Sequence, residues 1–205
     1  MSFFRSHAKK KIVLLLGNPD SGPETLSGNL ALIYQAAAKA AGHEVKYFKV
    51  GDMHFDPILH RGYRAIQELE PDLTNFQEAL KWCDHFVIIY PSWWSSMPAL
   101  LKGLFDRMWL PGFAFGYYKG GMMGHLNLWK RYMKYKTARV FILSAAHPLL
   151  IWLFIGDYTN EIKKGVLWFV GFKSRITRFG PSEKAPEWKK NEWRRKVARL
   201  GRLGE

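Results

Sequence analysis

Short apolar runs of strand length recur along this chain, separated by segments with helical spacing, and that alternation restricts the fold more than any other feature. Residues 11–16 form a continuous apolar run ended by Gly17-Asn18-Pro19. A helical pattern rich in alanine and leucine follows over 27–41, with Gly42 placed to stop it. Residues 44–50 alternate like a half-buried strand, and 51–70 read as a polar excursion with a turn at Asp56-Pro57. Asp72 is expected to cap a helix that runs through Leu80 into Trp82. A third strand spans 86–90, and a helix follows over 98–109 with Pro98 in its first turn. Residues 112–136 are rich in Gly, Met and aromatics and have no clean period. Beyond them come a fourth strand over 138–143, a helix over 157–170, a short strand over 172–176 and a basic amphipathic helix over 184–200. Strands and helices in this order make βαβ units with right-handed crossovers, hence a parallel sheet covered on both faces. The expectation is a doubly wound α/β domain with five parallel strands in the order 2-1-3-4-5. One domain accounts for 1–205, with 1–9 as a basic extension and 184–205 as a basic helix and tail.

The formal net charge of +14 makes nucleic acid, an anionic membrane surface and phosphorylated cofactors physical candidates for a partner. Much of the excess sits near the ends, in Lys9-Lys10-Lys11, Lys189-Lys190 and Arg194-Arg195-Lys196, without a nucleic-acid-binding motif. A solvated basic face therefore explains the charge better than nucleic acid does. The single cysteine, Cys83, rules out an internal disulfide, and its place before an apolar run suggests a packed thiol. The first residues are basic and lack a signal peptide's apolar stretch. The most apolar segment, 148–155, is far shorter than the ~20 residues that span a bilayer. A cytoplasmic protein is expected, at most peripheral to a membrane. The seven histidines have no ligand spacing, so no metal site is expected.

Three of the strands end in segments with chemical character. The first runs into a loop carrying Asn18, Thr25, Ser27, Gly28 and Asn29 at the start of a helix. It lacks the glycine pattern of a dinucleotide turn and of a P-loop, yet free amides and a helix dipole suit a phosphate. The plainer alternative is that Thr25 or Ser27 only caps the helix. The third strand runs into Pro91-Ser92-Trp93-Trp94-Ser95-Ser96, where paired tryptophans could stack on a flat ligand while backbone amides meet its edge. The fourth ends in Ser144-Ala145-Ala146-His147, small residues that permit close backbone approach. In a 2-1-3-4-5 sheet these three turns meet at one crevice.

Pro91-Ser92-Trp93-Trp94, followed by Met97-Pro98-Ala99-Leu100-Leu101-Lys102-Gly103, Asp106-Arg107 and Gly112-Phe113-Ala114-Phe115, resembles the flavodoxin-like NAD(P)H:quinone oxidoreductase family. That family includes ancillary flavoproteins of potassium-efflux systems. The resemblance extends over about 10–200, and the segment 165–172 shares it. It implies a flavin phosphate near Asn18, Thr25, Ser27, Gly28 and Asn29, and an isoalloxazine ring lined by Pro91, Ser92, Trp93, Trp94 and Ser95. Ser144, Ala145, Ala146 and His147 would face its pyrimidine edge, with His147 and the neighbouring amides stabilising charge there in catalysis. Trp94, Phe115 and Tyr117 would form the substrate pocket, the latter two across a homodimer. Asn18 stands where family members often have His, and Ser144 to His147 replace a glycine-rich loop. The family's proton-donating Tyr and His fall on Leu149 and Ile155, which cannot donate.

The activity implied is transfer of a hydride from NAD(P)H through bound FMN or FAD to a small acceptor such as a quinone. A regulatory or electron-carrying flavoprotein that binds a membrane or transporter partner is the alternative, favoured by the basic tail, the apolar 148–155 segment and the missing donors. The aromatic and methionine-rich 113–129 segment suits a dimer interface better than a separate site.

Overall fold

In the computed structural model, which describes residues 8–205, the central strands alternate between two apolar layers. In β1 (Lys11–Leu16), Ile12, Leu14 and Leu16 join one layer while Val13 and Leu15 join the other. β3 (His85–Ser92) splits the same way, with Val87 and Ile89 opposite Phe86 and Ile88. Strands buried on both faces need parallel pairing with helices above and below. The parallel sheet runs β2 (Glu44–Lys49), β1, β3, β6 (Thr137–Ser144), β7 (Lys173–Phe179). This is the expected 2-1-3-4-5 order. Two short strands, β4 (Phe115–Tyr117) and β5 (Trp129–Arg131), intervene in the chain and pair antiparallel with each other.

Helices α1 (Leu26–Ala40) and α6 (Glu187–Leu203) cover one face, burying Leu30, Tyr34, Trp193 and Val197. A Cβ on Gly201 would lie 2.7 Å from the Tyr34 carbonyl oxygen, which is how closely these two helices approach. The apolar side of the basic helix α6 is therefore occupied by the core, and it is not a free amphipathic surface for a membrane. The other face is covered by α2 (Pro71–Trp82), α3 (Ala99–Met108) and a π-helical segment, Glu161–Trp168. The Cys83 thiol is buried beside α2, and burial pushes it up to about 11, so it stays protonated and packed.

Two local expectations change, and two segments left without an assigned element acquire one. Glu70, not Asp72, precedes the first turn of α2, and the Asp72 carboxylate instead accepts the His54 amide at 2.7 Å. Pro98 stands just ahead of α3 rather than in its first turn. The aperiodic 112–136 segment is a hairpin enclosing a short helix, α4 (Gly121–His125), held by ring contacts such as Trp129 on Phe169 at 4.6 Å. Three-residue strands are too short to display a period. The apolar 148–155 run is a helix, α5 (Pro148–Ile155), of which only Ile151 is buried. The proposed basic extension lies mostly outside the described residues.

The polar excursion is fastened by Arg107, whose side chain is 1% exposed. Its guanidinium donates to both Glu70 oxygens, at 3.1 and 2.9 Å, to the Glu68 carbonyl at 2.7 Å and to the Asp56 carbonyl. Pro57 packs against α3 at Gly103, where a Cβ would come within 2.5 Å of the proline ring.

Candidate functional site

Register places the three chemically distinctive turns side by side. Leu16 pairs with Ile89 and Ser92 pairs with Ser144, so β1, β3 and β6 end together at one rim of the sheet. Crevices at carboxyl ends of such strands are where open α/β sheets hold ligands.

At the first turn Asn18 and Ser27 are buried and joined by a 2.9 Å hydrogen bond from the Asn18 amide to the Ser27 hydroxyl. Thr25 caps α1 by accepting the Gly28 amide at 3.0 Å and donates to the Gly22 carbonyl at 2.9 Å. A Cβ on Gly28 would lie 2.2 Å from that carbonyl, so a side chain there would open the loop. The Leu26 and Ser27 amides, in the first helical turn, have no intrahelical acceptor and remain available to an anion. Asn29 is used differently: its side-chain oxygen accepts Arg194 Nε at 3.0 Å, which ties α6 to α1 and brings a cation to the helix start.

At the second turn, after Pro91 and Ser92, Trp93 and Ser96 exchange two backbone hydrogen bonds of 3.0 Å each. Trp94 and Ser95 occupy the tip at φ of 53° and 62°. Trp94 is fully exposed and Trp93 about half exposed. A bulky residue held left-handed costs roughly 1–3 kcal/mol, and an indole in water forgoes the gain of burial. Both costs are understandable if the ring meets a ligand. Replacing Trp94 with glycine is expected to raise stability by up to about 1 kcal/mol in urea unfolding while weakening retention of a flat aromatic ligand. Loss of stability in that variant would contradict the strained-turn reading.

At the third turn the Ser144 hydroxyl donates to the Ala146 carbonyl at 2.8 Å, and Ala145, Ala146 and His147 are exposed. His147 starts α5, its Nδ1 accepting the Leu149 amide at 3.3 Å. That bond assigns the ring proton of the neutral imidazole to Nε2, a donor at the rim. Sequence reading missed Gly180, against which this loop rests. A Cβ there would fall 2.6 Å from both the Ala146 oxygen and the Ser144 Oγ. The signal was available in Gly180-Pro181 at the end of the last strand.

The two other expected substrate residues, Phe115 and Tyr117, line a cavity of about 420 Å³ beside the rim. Phe115 is buried and belongs to the core of its own chain, whereas Tyr117 is exposed. The cavity is also lined by Tyr63, Lys102, Asp106 and Glu161, none of which the sequence had singled out as site residues. Glu161 links it to the second turn by accepting the Ser96 hydroxyl at 2.5 Å. Trp94 is not among its lining residues. A helix start with free amides, a tip of exposed indoles and a small-residue loop fit a planar ligand with a phosphate tail. Among the described residues no three His, Cys, Asp or Glu are grouped to hold a metal, and no helix is long and apolar enough to cross a membrane.

A family model described as the flavodoxin-like fold matches residues 10–197. The chain is 24% identical over 211 residues to the rat (Rattus norvegicus) ribosyldihydronicotinamide dehydrogenase [quinone], covering 89% of this chain and 87% of the relative. It spans less than half the length of several other curated relatives that it matches. Among solved structures, an NAD(P)H:quinone oxidoreductase from Methanothermobacter marburgensis superposes with a TM-score of 0.77 at 22% identity, covering 97% of this chain and 100% of the other. An FMN-dependent NADH-azoreductase from Bacillus anthracis str. Ames Ancestor, in complex with FMN, does so with 0.70 at 14% identity, covering 95% and 99%. At these identities the two structures show a shared fold.

Proposed function

Because the chain belongs to the family with the flavodoxin-like fold, we propose that it is a flavin-dependent oxidoreductase carrying electrons from NAD(P)H to a quinone or similar electrophile. The observation that carries this reading is the meeting of the three turns at the carboxyl rim of β1, β3 and β6. A flavin bound there would supply two-electron redox chemistry. The Leu26 and Ser27 amides, with the Asn18–Ser27 pair behind them, would take its phosphate. The turn at Trp94 and Ser95 would offer amides not used in its own two hydrogen bonds. Ala145 and Ala146 leave room for the ring edge, and His147 Nε2 would donate to charge that develops there. The cavity with Phe115, Tyr117 and Tyr63 is the place for nicotinamide and acceptor, its Lys102–Asp106 pair fixed at 2.6 Å.

Purified protein is expected to carry, or rebind, a yellow chromophore whose mass identifies FMN or FAD. Anaerobic NADH or NADPH should bleach it, and a quinone should restore the colour. Colourless protein that binds neither flavin would overturn the proposal.

One observation favours a second reading, a flavoprotein that works mainly by docking. α5 follows the His147 loop directly and exposes Leu149, Leu150, Trp152, Leu153, Phe154 and Ile155. An exposed apolar patch of this kind marks an interface. A homodimer seam that includes α5 and the methionines of α4 is our preferred occupant, with the membrane as the alternative. Sedimentation of the loaded protein as a dimer that ignores anionic vesicles, together with fast quinone turnover, supports the enzyme. Monomers that pellet with vesicles and turn over poorly support docking.

A further inference from the structure

At the end of the sheet opposite the rim, the amino ends of β3, β6 and β7 border a second cavity, of about 330 Å³. Seven rises of about 3.3 Å separate His85 from Ser92 along β3, so the two ends lie roughly 20 Å apart. Lys10, Arg139, Lys173 and Arg175 line this cavity, and Glu205 is the acidic residue among its lining. Two of its polar side chains are more than nine-tenths buried. Arg139 is 8% exposed and His85 is 3% exposed.

Neither buried group is fully satisfied among the described residues. His85 Nδ1 meets the Thr137 hydroxyl at 2.7 Å, but its Nε2 has no partner, and Arg139 Nε has none either. Burial, followed by the charges of Lys10 and Arg139, holds His85 down to about 3, so the imidazole is neutral. The Thr137 hydroxyl can donate to Nδ1, and in that tautomer Nε2–H faces the cavity with no acceptor among the described residues. Glu205 is a poor match for what surrounds it. One of its oxygens sits 3.6 Å from Arg139 and 3.5 Å from Arg175, at the outer limit of a hydrogen bond. Lys10 is turned to the Gly204 carbonyl at 2.9 Å, and Lys173 has no ion-pair partner among the described residues. Buried cations and orphaned donors are costly unless an anion answers them. One carboxylate at such distances answers them incompletely, whereas an oxyanion with several acceptor oxygens could bridge both guanidinium groups and the imidazole.

We propose that this cavity is a binding site for a phosphoryl dianion, held by Arg139, Arg175 and Lys173 with His85 Nε2 at its floor, and that the Glu205 carboxylate occupies its mouth until displaced. The ligand is either free phosphate or the phosphoryl end of a small metabolite; the cavity is larger than phosphate alone requires. The site owes nothing to the rim or to a flavin.

The test is calorimetric titration of the full chain, saturated with FMN, with inorganic phosphate and separately with adenosine monophosphate. Lys173→Gln with Arg175→Gln alters two exposed side chains of β7, so the fold should persist. Affinity in that double variant should fall at least tenfold, and Glu205→Gln should raise it about tenfold. Tighter binding of the nucleotide than of phosphate would identify a metabolite as the source, and equal binding would identify the free ion. No binding of either probe, or binding indifferent to the β7 and Glu205 changes, overturns the proposal.

Discussion

Arg107→Met is expected to remove about 1–3 kcal/mol of stability in urea unfolding, the cost of leaving half-buried acceptors without the donor they share. Domains of this size have about 5–15 kcal/mol in total, so the loss would be visible as a steep fall in the unfolding midpoint. The reason lies in what Arg107 holds. Its guanidinium is the shared donor for Glu70 and for the Asp56 and Glu68 carbonyls, so methionine strands a carboxylate and two main-chain acceptors together. Adding Glu70→Gln should recover part of the loss, because the stranded charge disappears. Acid should act on the same cluster. Burial alone would raise Glu70, but the Asp56 amide and the Arg107 guanidinium outweigh it and hold the carboxyl below its usual 4.5. A carboxyl lowered by folding contributes its full stabilisation above the unfolded value and loses it as pH falls through the folded one. Stability from this group should therefore be intact at neutral pH and decline below about 4.5, and Glu70→Gln should flatten that limb. A decline unchanged by Glu70→Gln would show that other carboxylates govern it.

Ser27→Asp is expected to weaken flavin binding by about 100-fold or more without unfolding the protein. A carboxylate in the first turn of α1 interacts favourably with the helix dipole, which offsets part of the cost of charging this buried side chain. It would also stand where the phosphate is to be held. Two unit charges ~4 Å apart repel by about 4 kcal/mol at an effective dielectric of about 20, and salt reduces this. Fluorescence titration of apoprotein with FMN measures the loss, and circular dichroism checks the fold. Ser27→Ala supplies the contrast, since it removes one hydroxyl but adds no charge. If Ser27→Asp binds FMN as well as the parent protein does, the phosphate is not at the start of α1.

Much of the architecture was legible because it is written in local pattern. A parallel strand buried on both faces must be apolar throughout, so 11–16 and 138–143 announced themselves within one residue of their observed limits. Helices α1, α3 and α6 showed through their spacing and through Gly42 and Pro98 at their borders. The rim turns were legible too, since Asn18, Thr25, Ser27, Trp94 and Ser144 to His147 follow strands whose order the alternation implies.

Other features depend on contacts between residues distant in the chain. Asp56, Glu68 and Glu70 offer no sign of Arg107, 37 or more residues away. Gly180 acquires its importance only because parallel pairing of β6 and β7 presses it on the loop after Ser144. Nothing in the sequence pattern places Arg194 on Asn29, 165 residues apart, or gathers His85, Arg139 and Glu205 at one end of the sheet. The amino-acid order by itself determined which segments are strands and helices, since burial period and capping chemistry act over a few residues. Only the tertiary structure decided which side chains share a cavity, because that is set by strand register and helix packing, which sum over the whole chain.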